Sequence, residues 1–194
     1  MHWPLKFETE RLVLRPIEPD DYHTWYTAMV ERRPRQHNYD DDLVNLDGLD
    51  AAWFATVCED HRESALHDQC YNWSVFHKQT GQHLGKIDLS TIQRNVFQWA
   101  NLGYMIHNQF WRQGFAKEAV TAALTAGFKA LHYHRIEAAI NLDNYASIGL
   151  VEHLGLQREC IRRNFWYENE QWVDHLIYVA LPSDFCLPEK PPIV

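Results

Sequence analysis

The segment that most constrains the fold is NLGYMIHNQFWRQGFAK, residues 101–117, where an extended apolar run passes through a short polar turn into a long amphipathic pattern. Over 114–131, Ala116, Ala119, Val120, Ala123, Leu124, Gly127, Phe128 and Leu131 recur at helical spacing and make one small apolar face. Such a face has to lie close against a flat neighbour, which a sheet provides. The start of this helix is also chemically distinctive. First-turn N–H groups have no internal partners, and the macrodipole places its positive end there. Gly114 removes the side chain that would hold an anion away, Ala116 keeps the next turn low, and Arg112 and Lys117 add formal charge. On its own the segment reads either as a tight strand-to-helix turn or as an anion receiver.

The rest of the chain supplies the strands. Residues 8–17 (ETERLVLRPI) alternate with the period of a half-buried strand, and Pro19, Asp20 and Asp21 open a helix through about Val30. Residues 31–48 are polar and irregular, and 49–66 return to helical spacing. Strand patterns follow at 72–77, 84–91 and 96–106, the first two joined by a turn at Thr80-Gly81. Residues 135–141 read as a strand, 146–154 as a helix ended by Gly155, and 157–165 with 172–181 as a terminal strand pair joined around 168–170. The order predicts an α/β sandwich on a mixed sheet. No repeat or linker divides it, so the expectation is one domain over 1–181 and a Pro-rich tail over 182–194.

With 194 residues, 46% hydrophobic content and 13% aromatics, the chain has material for a substantial core. Its 18 Lys plus Arg against 26 Asp plus Glu give a net charge of −8, which argues against a duplex-coating role and against direct nucleic-acid binding. No stretch approaches the ~18 to 20 apolar residues of a membrane span, and residues 1–7 carry no secretory pattern, so a cytoplasmic protein is expected. Four scattered cysteines without a Cys-x-x-Cys pair fit reduced thiols. His132-x-His134 offers only two ligands, so no metal is expected.

Three motifs carry a resemblance. Residues 8–16 (ETERLVLRP), Leu102-Gly103-Tyr104-Met105-Ile106 followed after five residues by Arg112-Gln113-Gly114-Phe115-Ala116-Lys117-Glu118-Ala119, and Asn144-Tyr145-Ala146-Ser147 followed by Val151-Glu152-His153-Leu154-Gly155-Leu156 resemble, in order, the GNAT superfamily of N-acetyltransferases. Within it they are similar to the RimJ/RimL-like, ribosomal-protein N-terminal acetyltransferase type. The resemblance implies a mixed, mostly antiparallel central sheet flanked by helices, and acetyl-CoA as co-substrate with an amine acceptor. Three departures stand out: Trp111 where the superfamily loop begins with Gln or Arg, Asn101 where a Glu often precedes the Gly-Tyr pair, and Val151 where other branches carry a Tyr acid.

By the same resemblance, Gln113 to Lys117 (Gln113, Gly114, Phe115, Ala116 and Lys117) with Arg112 would cradle the coenzyme's pyrophosphate. Tyr104, Met105 and Ile106 would pair with its pantetheine arm, the Met105 N–H aimed at the thioester carbonyl. Asn144 and Ser147 would face the coenzyme, and the Ser147 hydroxyl would serve the departing thiolate. A backbone donor of this kind contributes ~2.7 to 4 kcal/mol in other enzymes. Asn144 equally suits a helix N-cap. Asp88, Glu137 and Glu168 are carboxylates on or near strands, and none is assigned as the base. Trp3, Trp25, Trp166 and Trp172 are candidate substrate-site walls. The acidic run Asp40-Asp41-Asp42 with Asp47 and Asp50 reads either as a solvated loop or as a rim that steers a cationic acceptor. The acceptor is a protein N-terminus or a small amine, the protein a monomer or homodimer. The competing class is a catalytically silent acyl-CoA-binding module.

Overall fold

A computed structural model describes residues 5–189 and 191–192. Eight strands form one sheet in the order β1-β2-β3-β4-β5-β6-β8-β7. They are β1 (Phe7–Glu8), β2 (Leu12–Arg15), β3 (Cys70–His77), β4 (His83–Gln93), β5 (Trp99–Ile106), β6 (Arg135–Asn141), β7 (Gln157–Glu168) and β8 (Gln171–Ala180). The α-helices are α1 (Tyr22–Val30), α2 (Ala51–Leu66), α3 (Phe115–Lys129) and α4 (Tyr145–His153). The sheet is mostly antiparallel, with β5 and β6 pairing parallel. The chain divides into two compact units, Met1–Asp88 with Tyr104–Ala123, and Leu89–Gly103 with Leu124–Val194.

In the first unit, the strand expected over 8–17 is a short hairpin. The Thr9 side chain accepts from the Leu12 N–H at 2.9 Å, and the Thr9 N–H donates to the Leu12 carbonyl at 3.0 Å, so the chain reverses between β1 and β2. The alternation survives in β2, where Leu12 and Leu14 are fully buried. A 3₁₀ turn over Pro19–Asp21 precedes α1, and Asp21 is spent on Arg15 (2.6 Å) and on the Glu18 N–H (2.8 Å). Asp50 caps α2 by accepting from the Trp53 N–H at 2.8 Å. Ile17, Phe54 and Cys58 pack with Tyr22, Trp25 and Val57 into an aromatic-rich cluster. Burial raises the Cys58 thiol to about 11, so it behaves as a core group.

In the second unit, β5 starts at Trp99 rather than at 96, because Asn95 and Gln98 hold left-handed backbone that ends any ladder. The β5–β6 register covers Trp99↔Arg135 to Asn101↔Glu137 and stops, although β6 continues to pair with β8 as far as Asn141↔His175. β7 and β8 are joined by Asn169 and Glu170, both left-handed, a two-residue hairpin tighter than the patterning suggests. Asn144 caps α4, and the Tyr178 hydroxyl donates to Glu152 at 2.7 Å. Along α3, Ala119, Val120 and Ala123 of the first unit and Leu124 of the second are fully buried, as the small-face pattern requires.

Candidate functional site

The turn between β5 and α3 is held from three sides. The Trp111 indole N–H donates to the Ile106 carbonyl at 2.6 Å and its ring stacks on His37, so the departure at position 111 acts as a brace. Arg112 (φ 61) and Gly114 (φ 80) are both left-handed, a double reversal that costs about 1–2 kcal/mol at the non-glycine position. Arg11, on the approach to β2, donates from Nη1 to the Gln113 carbonyl at 2.9 Å and from Nε to Glu118 at 2.7 Å, while its own N–H donates to Glu118 at 2.8 Å. Burial alone would raise the Glu118 carboxyl, but hydrogen bonds from Thr9 and Arg11 outweigh it and hold the group below the usual carboxylate range.

The ladder of α3 begins with the Glu118 N–H donating to the Gly114 carbonyl at 3.1 Å. The N–H groups of Phe115 and Ala116 therefore have no acceptor within the helix. A Cβ at Gly114 would lie 3.3 Å from the Arg11 guanidinium, so a side chain here would crowd the cation that anchors the loop. Arg112, Gln113 and Lys117 are exposed around it. Tyr104 and Met105 are half-buried on β5 and Ile106 is buried. β4 runs against this strand so closely that a Cβ at Gly85 would come 2.0 Å from the Met105 carbonyl oxygen. Sequence patterning gave no hint of that constraint. It fixes the backbone of Met105 by leaving the neighbouring strand no side chain at this point.

Met105 also lines a cavity of about 240 Å³. Trp25, Trp53, Phe54 and Trp73 form much of its wall, with Arg32, Asp41, His61, Asn72, Ser74, His83 and Lys86 as its polar lining. Trp25, one of the four tryptophans considered as substrate-site walls, lines this cavity. Trp166 and Trp172 do not line this cavity; they stand on the β7–β8 hairpin, both more than half exposed. Trp3 lies outside the described residues.

Of the acidic run, Asp40 is not on the surface. Asp40 is buried and holds Arg32 at 2.6 Å, and it also accepts from Asn108 at 2.9 Å and from the Gln36 N–H at 3.0 Å. Asp41 and Asp42 face Arg32 and Arg35 at 3.5 Å each, and Asp50 is the α2 cap. Asp41, Asp42, Asp47 and Asp50 are exposed, so Asp40 alone of the five is interior.

At the cavity wall the buried lining residue His83 meets a second buried histidine, His107. His83 Nδ1 lies 3.0 Å from His107 Nε2, and His83 Nε2 lies 3.2 Å from the Ser74 hydroxyl. Burial, with Arg15 opposing Asp21, lowers His83 to about 4; burial, His83 and Arg32 lower His107 to about 3. Both rings are therefore neutral at pH 7, and one donates to the other. His107 Nδ1 has no partner.

In the second unit, the Asn144 side chain accepts from the Ser147 N–H at 3.2 Å, which makes Asn144 the N-cap of α4 and leaves Ser147 half-buried one turn along.

Comparison with known proteins bears on both units. The acetyltransferase (GNAT) domain model matches residues 11–157. The chain belongs to the GNAT acetyltransferase family. It is 27% identical over 176 residues to the N-acetyltransferase YoaA of Bacillus subtilis, covering 88% of this chain and 93% of that one. It is 24% identical over 185 residues to the [ribosomal protein uS5]-alanine N-acetyltransferase of Escherichia coli, covering 93% of each. In fold it matches Mycobacterium smegmatis RimJ in complex with CoA-disulfide, with TM-score 0.77, 20% identity, and coverage of 95% and 91%.

As a GNAT member the chain is an acyl-CoA-dependent N-acetyltransferase. Two of the three carboxylates considered as bases are committed to other partners. Glu137 is 1% exposed and committed to Arg162, with contacts of 2.5 and 3.0 Å, and Arg135 adds a further contact. Glu168 accepts from Asn141, Asn101 sits in the β5–β6 ladder, and Asp88 is half-buried on β4. Sequence reasoning missed Arg11 and Glu118 as anchors of the loop, and missed His83 and His107. A lone His in a strand pattern carries no signal of the partner it will meet across the sheet. Among the described residues no three His, Cys, Asp or Glu side chains converge as a metal site requires, and no helix is long and apolar enough to cross a membrane.

Proposed function

We propose that this GNAT protein transfers the acetyl group of acetyl-CoA directly to a primary amine in a ternary complex, with a protein N-terminal α-amine as the acceptor. The observation that carries the coenzyme half of this reading is the left-handed turn at Arg112 and Gly114, which opens the first turn of α3 beside the Arg11 guanidinium. Gln113 to Lys117 would receive the diphosphate on backbone N–H groups, with Arg112 and Lys117 adding charge. Acetyl-CoA would supply an activated thioester. Tyr104 to Ile106 would hold the pantetheine amides, and the Met105 N–H would donate to the thioester carbonyl oxygen, its position set by the close passage of β4 at Gly85. In this reading Asn144 orders the α4 turn and the Ser147 hydroxyl gives a proton to the thiolate. The acceptor would enter the cavity that Met105 lines. The likeness to ribosomal-protein acetyltransferases supports a protein N-terminus as acceptor. A cytoplasmic location and activity as a monomer or homodimer complete the proposal.

The test is thiol release from acetyl-CoA with a panel of N-terminal peptides and small amines, followed by mass spectrometry of the acceptors. Peptides acetylated at the α-amine support the proposal. Turnover confined to small amines would replace the acceptor, and coenzyme binding without turnover across the panel would make the protein a silent binding module.

A further inference from the structure

The cavity lined by Met105 has an unusual balance of wall and charge. Trp25 and Trp53 supply its accessible aromatic surface, backed by the buried Phe54 and Trp73, and the Trp25 ring centroid lies 5.6 Å from that of Trp53 and 5.1 Å from that of Phe54. Its formally charged lining is Arg32 and Lys86 against Asp41, with two histidines besides. Asp41 already faces Arg32 at 3.5 Å, Asp40 is consumed by Arg32, and burial with the nearby Lys86 lowers the charge-bearing tendency of His61. Arg32 and Lys86 are thus balanced by Asp40 and Asp41, so the lining carries no net negative charge to hold a second ammonium, whereas an aromatic or large aliphatic group would find an apolar wall.

We propose that the acceptor subsite selects a monoamine carried on a large apolar, preferentially aromatic, body and discriminates against polyamines. This rests on reading the cavity as the acceptor site of the acetyltransferase. The chemistry has two sources: a free arylalkylamine, or an N-terminal residue whose side chain is aromatic. In either, the ring lies against Trp25 and Trp53 while the amine points toward Met105.

Three tryptophans in the wall make intrinsic fluorescence a direct readout of occupancy, independent of turnover. The full chain is titrated, with and without coenzyme A, with 2-phenylethylamine, the amides of Phe-Ala-Ala and Ala-Ala-Ala, and spermidine. Saturable binding of at least one phenyl-bearing amine, tenfold or more tighter than spermidine and Ala-Ala-Ala amide, is expected, because enclosing a ring is worth at least that factor. Phenylethylamine alone reaching this level identifies a free amine; the Phe peptide reaching it identifies a chain N-terminus. Trp25→Ala is expected to remove the preference, and Trp53→Ala to reduce it, which covers the case in which one variant folds poorly. Spermidine binding as tightly as the phenyl amines, an absence of saturable binding by both phenyl amines, or a preference unchanged in a folded Trp25→Ala protein overturns the proposal. Coenzyme A affinity, measured by calorimetry on the same preparation, separates this from the acetyltransferase reading. Loss of coenzyme binding sinks that reading and leaves the amine titration free to decide the subsite.

Discussion

Arg11 and Glu118 are 107 positions apart in sequence and joined twice, through the Arg11 Nε at 2.7 Å and the Arg11 N–H at 2.8 Å. The same guanidinium reaches the Gln113 carbonyl and lies 4.6 Å from the centre of the Phe115 ring. The end of the β1–β2 hairpin is thereby buckled to the turn that precedes α3. The opening motif of the sequence and the glycine loop act as one device.

Glu118→Ala is expected to weaken coenzyme A binding about tenfold and to lower stability by about 1–3 kcal/mol, since it strands the Arg11 charge beside the loop. Glu118→Gln, which keeps an acceptor, should lose less of both. Calorimetric affinity together with urea denaturation reads the two effects. Unchanged affinity in a destabilised Glu118→Ala protein would make the buckle purely structural.

Gly114→Glu places a carboxylate and a Cβ at a left-handed position 3.3 Å from Arg11. Coenzyme affinity should drop at least a hundredfold, while stability falls by only about 1–2 kcal/mol. Gly114→Ala separates backbone strain from charge: it should share the stability cost and lose less affinity.

How much of this was legible beforehand depends on whether the information was local. The α3 face, the Thr80-Gly81 turn, the Asn144 cap and the α4 stop at Gly155 are written in neighbouring residues, and each appears where the pattern puts it. The β1–β2 reversal was hidden because Thr9 supplies a side-chain acceptor in the middle of an otherwise alternating run. The fate of Asp40 was hidden for a different reason. Its partners Arg32 and Asn108 come from two distant segments, so a run that looks like a charged rim is partly an interior ion pair. The His83–His107 contact likewise exists only once β4 and β5 lie side by side.

Those two histidines make stability depend on pH in a defined direction. Both are held neutral in the folded chain, at about 4 and about 3, whereas unfolded histidine titrates near 6.5. The unfolded state binds more protons between these values, so stability is full above pH ~6.5 and is lost as pH falls toward 4, by about 1.4 kcal/mol per pH unit for each proton. Urea midpoints from pH 7.5 to 4.5 should show this slope. His83→Gln should flatten it whatever its effect on absolute stability. An equally steep slope in the variant would mean that the acid sensitivity lies elsewhere.

Ser147→Ala is expected to lower kcat about 10²-fold with coenzyme affinity within threefold of the parent, as removal of a proton donor should. Asn144→Ala should instead cost about 1 kcal/mol of stability through the lost cap. A Ser147→Ala protein with full activity would leave Ser147 as a packing residue and shift the proton transfer to solvent.

The most direct measurement is a crystal structure with acetyl-CoA bound. The diphosphate should rest on the N–H groups of Phe115 and Ala116, within reach of Arg112, with the thioester carbonyl at the Met105 N–H. A diphosphate seated away from the start of α3, or a first turn of α3 closed over by its own side chains, would contradict the account.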